Sequence, residues 1–189
     1  MPLEIPLSQV RAAKAGDATA TAELLRLVWP NAYRIAWSIL QERGAAEDAA
    51  QDACARVLTA LSGLRRSERF APWFYWIVVN ESRARLRSVA REVSLESGLS
   101  REYAVSADDE ATRAGRIDLR RALAALDPDL RLAVVLRYYF GLSSTEIARI
   151  VRASPVTVRW RLMIARRRLR TLLEEPRSLS NLQPEAEGA

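Results

Sequence analysis

Between Phe70 and Arg91 the chain reads FAPWFYWIVVNESRARLRSVAR, and stepping about 100° per residue gives a helix with two unlike faces. Pro72 suits the first helical position, where its missing N–H costs nothing. Trp73, Trp76, Asn80, Arg83 and Arg87 fall in one narrow arc, while Tyr75, Val78, Val79, Leu86 and Val89 fall roughly opposite. The second arc is a stripe to be buried. The first sets flat aromatic faces, a bidentate amide and two guanidinium groups in a row. Single-stranded nucleic acid is held by that chemistry: aromatics stack on unpaired bases, arginines hold phosphates and an amide bonds a base edge. Taken alone, the row fits equally well a helix whose tryptophans are core and whose arginines are solvated.

The remaining composition narrows the choice. The chain has 189 residues, 49% of them hydrophobic, enough for one ordinary domain or two small ones. Its net charge is +6 and Lys14 is its sole lysine, so the basic character is arginine, whose fork matches phosphate and guanine. A GC-rich genome would contribute to the same bias. Histidine is absent, which removes the commonest acid/base catalyst and metal ligand. The chain is therefore not read as an enzyme, and no metal or cofactor is expected. Cys54 is the sole cysteine, excluding an internal disulfide and a thiolate cluster; packing is its expected role. The N-terminus lacks a basic stretch followed by a signal-length apolar run, and no segment reaches the length needed to span a bilayer. A cytoplasmic, soluble protein without membrane insertion is expected.

Ala, Leu, Arg and Glu dominate, and sustained polar/apolar alternation is missing, so the expected class is all-α without strands. A first helix starts near Ser8, Gly16 and Asp17 form a stop and a new N-cap, and a helix through Leu24, Leu25 and Val28 is expected to be interrupted at Pro30. The next carries Ile35, Ile39 and Leu40 inward and ends near Gly44. From Glu47 a further helix buries Ala50, Cys54, Val57 and Leu61 and presents Glu47, Asp48, Gln51, Asp52 and Arg56. The helix dipole accounts for acids in a first turn, hence for Glu47 and Asp48, but not for Asp52. An acid-and-amide surface on a basic chain also suits docking of a basic protein.

Ser62 to Arg69 form a short basic loop leading into the aromatic helix. Residues 92–116 read as a flexible linker, with six acids against one arginine up to Glu110. A second module, residues 117–175, opens with Leu119, Leu123 and Leu126 on one side, then Asp127 and Pro128 as cap and first-turn pair of a helix burying Leu130, Val134 and Leu136. Ser143 and Glu146 have capping-box spacing, Arg152 and Ala153 make a turn, and Ser154 with Pro155 starts a longer helix. Two helices joined by so tight a turn follow the helix-turn-helix plan for a major groove. Val158, Leu162, Ala165, Leu169 and Leu172 hold the second helix, leaving Thr157, Arg159, Trp160, Arg161 and Met163 outward. From Glu146 to Arg170 there are eight arginines and one glutamate, an imbalance that favours duplex DNA over a merely solvated helix, RNA and acidic proteins being the other partners a basic helix takes. The tail, residues 176–189, reads as disordered.

These motifs resemble one family in order and spacing: AGD at Ala15–Asp17, AEDAAQDA at Ala46–Ala53 and FAPWFYWIVVN at Phe70–Asn80, then LSSTEIARIV, TVRWRL and ARRRLRTLL. The chain is similar to the extracytoplasmic-function sigma factors, two-domain transcription initiation factors of bacteria. The resemblance implies a region 2-like helical bundle (residues 1–91) and a region 4-like helix-turn-helix (117–175). It implies docking of Asp48, Gln51, Asp52 and Arg56 on the β′ clamp helices of core RNA polymerase. It implies capture of the melted −10 element of promoter DNA by Arg69, Phe70, Trp73, Trp76, Asn80, Arg83 and Arg87. Reading of the −35 element falls to Ser154, Thr157, Arg159, Trp160, Arg161, Met163 and Arg166, with the polymerase β flap as protein partner there. An anti-sigma factor is a further partner of this class. Arg152 and Val156 stand where the family usually has glycine, Trp160 where it has serine, and Ile164 where a basic residue is common. The competing reading is a conventional helix-turn-helix regulator, which explains the second module but leaves the aromatic arc without a task.

Overall fold

Gly16, at φ +96°, closes helix α1 (Leu7–Lys14) in a conformation few other residues adopt, and Asp17 opens α2 (Ala18–Leu40) by accepting the Ala20 N–H at 2.9 Å. The structure, a computed structural model, describes residues 5–95 and 113–180, with side chains over 5–88 and 119–174. The expected interruption at Pro30 does not occur, because α2 runs straight through it. An interior proline costs about 3 kcal/mol. Burial of Leu24, Val28, Ile35 and Ile39 along one face of the same helix is worth about 1.5 to 3 kcal/mol each, and Pro30 lies on the exposed face where water can serve the freed carbonyl.

Helix α2 also stops earlier than Gly44. Gln41 takes a left-handed φ of 54° and its side chain donates to the Trp37 carbonyl at 2.7 Å. Glu42 then caps α3 (Arg43–Ala60), accepting the N–H groups of Gly44 at 2.8 Å and Ala45 at 2.6 Å. The helix expected from Glu47 thus begins four residues sooner, and Glu47 and Asp48 lie past its first turn. The dipole does not account for them; Glu47 pairs with Arg43 at 3.0 Å instead. Ala46, Ala49, Ala50 and Ala53 are fully buried, so α3 meets its neighbours across a flat face of methyl groups, with Cys54 and Val57 continuing the stripe. Burial pushes the Cys54 thiol up to about 11, as suits a packing role.

Two short turns, Leu61–Gly63 and Ser67–Arg69, lead into α4 (Phe70–Leu95). Pro72 therefore sits at the third helical position rather than the first. The division into two faces holds over the described side chains: Phe74, Tyr75, Ile77, Val78 and Val79 are buried, whereas Trp73, Trp76, Asn80 and Arg83 are half-buried and Arg87 is exposed. Val89 lies outside the described side chains. Because α4 continues to Leu95, the linker expected from residue 92 opens inside a helix; its residues 96–112 lie outside the described ones.

The second module starts with α5 (Arg113–Ala124), earlier than the expected 117. Its inner side is Ala122, Leu126 and half-buried Leu123, whereas Leu119, expected inward, is 44% exposed one turn above them. In α6 (Pro128–Val134) Pro128 takes the first position, but the Asp127 carboxylate does not cap; it pairs with Arg168. The helix then widens into a π turn, Val135–Tyr139, in which the Phe140 N–H reaches the Val135 carbonyl at 3.2 Å, and Gly141, at φ +68°, releases the chain.

A full capping box opens α7 (Ser144–Val151). Arg152, at φ 55° and ψ 50°, holds the left-handed turn that glycine would ordinarily hold, and Ser154 caps α8 (Pro155–Ser180) by accepting the Thr157 N–H at 3.0 Å. The loss of glycine at 152 leaves the turn intact. Helix α8 passes through Pro176 to Ser180, so the expected tail begins as helix; residues 181–189 lie outside the described ones.

The all-α class holds: among the described residues there is no strand, and no helix is long and apolar enough to cross a membrane. The two modules share one core. The Tyr75 ring of α4 meets Phe140 with centroids 5.1 Å apart, and both are buried. Arg131, 4% exposed, donates to the carbonyls of Ser38 and Ile39 at the end of α2 and of Leu123, Ala124 and Leu126 around the end of α5.

Two consequences follow for stability. Arg131→Met should lower the unfolding free energy by about 2 to 4 kcal/mol in urea titrations, since it strips donors from several buried carbonyls. Ser143→Ala should cost about 1 kcal/mol at neutral pH. Hydrogen bonds from the Ser143 hydroxyl and N–H hold the Glu146 carboxyl below its ordinary value. The charged form of the box is thus complete above the ordinary carboxylate pKa of about 4.3 and is lost as pH falls through the lower folded value. The gap between wild type and Ser143→Ala should narrow on acidification.

Candidate nucleic-acid interface

Along α4 the arc is set by what lies beneath it. Phe74, Ile77 and Val78 fix the helix from below, so Trp73, Trp76, Asn80 and Arg83 stand on its upper side whatever they do there. Phe70 does not join them. It is 2% exposed, parallel to Phe74 at 6.0 Å and against Trp73 at 5.9 Å, and it serves as the floor on which Trp73 rests. Arg69 is exposed at the entrance to the helix. The Asn80 amide donates to the Trp76 carbonyl at 2.7 Å.

The second module contacts the arc at two of its residues, Trp76 and Arg83. The Arg152 guanidinium lies 5.2 Å from the Trp76 ring centroid. Arg83 donates to the Val151 carbonyl at 3.2 Å and pairs with Asp129 at 2.8 Å. Arg87 remains exposed.

On α8, Val158, Leu162 and Ala165 are buried and Leu169 and Leu172 half-buried, as the spacing requires. Arg159, Trp160, Met163 and Arg166 are exposed, and Val156 joins Trp160 and Met163 one helical turn apart in an exposed apolar row. Thr157 and Ser154 bond each other through their hydroxyls at 2.8 Å, so the pair belongs to the cap that fixes the start of the helix. Arg161, expected outward, is turned inward: its side chain is 20% exposed and pairs with the second oxygen of Asp129. Its place on the helix, between the outward row and the buried stripe, lets a neighbouring acid draw it aside.

The candidate protein-docking surface on α3 is open. Asp48, Gln51, Asp52 and Arg56 are all exposed, and Asp52, Ala55, Arg56, Thr59 and Glu81 rim a shallow depression. Surface pairs tie this face to α4, Asp48 to Arg85 at 2.6 Å and Arg56 to Glu81 at 3.3 Å.

Two residues of the interface escaped the sequence reading. Asp129 presented itself only as an acid in a first helical turn, which the dipole explains. Arg152 presented itself as a turn residue. Both act across long sequence separations, and the available signal was limited to charge within arginine-rich surroundings.

Family comparison agrees with the geometry. Residues 23–92 match sigma-70 region 2 and residues 116–169 match sigma-70 region 4. The ECF RNA polymerase sigma factor ShbA of Streptomyces griseus is 32% identical over 88% of this chain and 94% of its own. SigM of Mycobacterium tuberculosis, named likewise, is 32% identical over 84% of this chain and 80% of its own. Among solved structures, the Bartonella quintana sigma factor RpoE, in complex with the anti-sigma factor NepR, superposes with a TM-score of 0.73 at 27% identity, covering 81% of this chain and 96% of that one. With both halves matched in order and a relative so alike over nearly its whole length, the chain belongs to the ECF RNA polymerase sigma factors.

Proposed function

We propose that the chain docks on core RNA polymerase through Asp48, Gln51, Asp52 and Arg56 of α3, captures the melted −10 strand along α4 and reads the −35 duplex with α8. The observation that carries this reading is the separation of two unlike arrays on one chain. One is aromatic and amide-bearing and suits unpaired bases; the other is an arginine-rich helix at the head of a capped turn and suits a duplex groove. Arg69, Trp73, Trp76, Asn80, Arg83 and Arg87 belong to the first. Arg159, Trp160, Met163 and Arg166 belong to the second, with Ser154 and Thr157 setting its start and Arg161 joining when released from Asp129. Phe70 contributes only as the support of Trp73.

The two arrays act at different stages. Unstacking a base costs a few kcal/mol, and stacking on an aromatic side chain returns about 1 to 3 kcal/mol per base, so α4 works once the strands part. Arginines of α8 bind intact duplex, some holding phosphates and some reaching base edges. The work takes place in the cytoplasm, where the polymerase is. The B. quintana relative is held by an anti-sigma factor, and a protein of that kind is the further partner we propose.

Added to sigma-free polymerase from a closely related bacterium with genomic fragments, the protein should produce discrete RNA 5′ ends preceded by one shared pair of promoter elements. Absence of new starts would overturn the reading. Trp73→Ala should leave polymerase binding intact and lower open-complex formation about 5- to 150-fold, the loss of one stacked base, in a permanganate footprint of unpaired thymines. Arg159→Ala should weaken −35 protection by about 1 to 3 kcal/mol in DNase footprints, with binding to core polymerase unchanged.

A further inference from the structure

Three large apolar side chains on α8 are left to water. Val156 is 64% exposed, Trp160 55% and Met163 54%, and none of them packs against the core. Spaced four and three residues apart, they follow one another along a single line of the helix. With a rise of about 1.5 Å per residue the line is about 10 Å long, close to three base-pair steps of duplex DNA. Among the described residues the Trp160 ring meets neither another ring nor a cation. Single apolar residues on a surface need no explanation, but a contiguous row with an indole at its centre marks a contact made with something else.

What borders the row decides the kind of contact. Arg159 and Arg166 lie along one side of it and Arg167 stands one turn beyond Met163, all three exposed. An apolar protein surface would leave these guanidinium groups without partners. The major groove gives them phosphates along its walls, and on its floor, among donors and acceptors, it presents one apolar group, the C5-methyl of thymine. Arginine reads donors and acceptors and gains nothing from a methyl, whereas an apolar side chain pressed against one removes both from water.

We propose that Val156, Trp160 and Met163 form a methyl-reading strip, by which α8 selects base pairs that carry a pyrimidine C5-methyl group in the −35 element. The inference rests on the assignment of α8 to that element and names what α8 recognises there. Thymine carries the group in ordinary DNA, and 5-methylcytosine offers the same group on a different base. Burial of one methyl group is worth about a fourfold change in affinity. Arg159 supplies charge and hydrogen bonds to the same duplex and is indifferent to the methyl.

The test uses core polymerase loaded with the full chain, on promoter fragments taken from the starts that it produces on genomic DNA. Thymines of the −35 element are replaced one at a time, in each strand, by uracil, which differs only in lacking the methyl group. Binding is measured by competition against the unmodified fragment, in the cold, before the strands part. Uracil should weaken binding about fourfold at one or more positions within three consecutive base pairs. Trp160→Ser combined with Met163→Gln, changes confined to exposed side chains, should bring that ratio to one, while Arg159→Ala should weaken binding to both fragments and leave the ratio as it is. At a sensitive position, cytosine in place of thymine should weaken binding and 5-methylcytosine should restore about fourfold of the loss. Recovery assigns the methyl group on either base; sensitivity to uracil without that recovery assigns thymine as its source. Uracil tolerated at every position would overturn the strip and leave −35 reading in place. So would a double variant that keeps the wild-type ratio and loses only self-association in sedimentation. Failure of the −35 assignment itself has a different signature, starts that share no upstream element and footprints without −35 protection.

Discussion

A single buried guanidinium sets the relation between the two halves of this protein. Arg131 reaches carbonyls at the C-terminal ends of α2 and α5, groups that a helix leaves without internal partners and that carry the negative end of its dipole. Five N–H donors fixed in a plane can serve several such carbonyls at once, which an ammonium group cannot do with the same geometry. Because α2 belongs to the first module and α5 and α6 to the second, the hydrogen bonds that satisfy the helix ends also fix how the modules meet. Asp129 lies two residues before Arg131 on the same short helix, hence on roughly its other side, and is carried against α4 and α8 as Arg131 seats on α2.

Local physics was readable in the sequence, and contacts made by folding were not. The cap at Asp17, the box at Ser143 and Glu146, and the start at Ser154 and Pro155 depend on residues three or four apart, so a pattern suffices to find them. The two faces of α4 follow from a period and were equally legible. Pro30 misled because a proline's penalty is visible in sequence while the burial that overrides it is spread along the whole of α2. Phe70 misled because aromatic residues at a helix start look alike whether they end as floor or as surface. Arg83 and Arg161 are drawn to a partner 46 and 32 residues away, a distance at which charge patterns carry little information.

The two kinds of surface also differ in how they are wired. On the α3 face, Asp48 and Arg56 each pair with one residue of α4, exposed Arg85 and half-buried Glu81, and both pairs lie within one module. On α4 and α8, Arg83 and Arg161 share the partner Asp129 and sit beside an inter-module contact, Tyr75 on Phe140. One surface is thus wired within a single module and the other across both.

Arg152 shows how a turn acquires a second task. Its left-handed backbone costs roughly 1 kcal/mol or more in any residue with a Cβ, a strain that glycine would avoid while preserving the turn between α7 and α8. Glycine, however, could not extend a cation across to the Trp76 ring. Backbone strain alone favours glycine at 152, whereas the contact with Trp76 requires the arginine side chain. The turn between α7 and α8 is thereby also a tether, joining the helix-turn-helix to the aromatic face of α4 through one side chain.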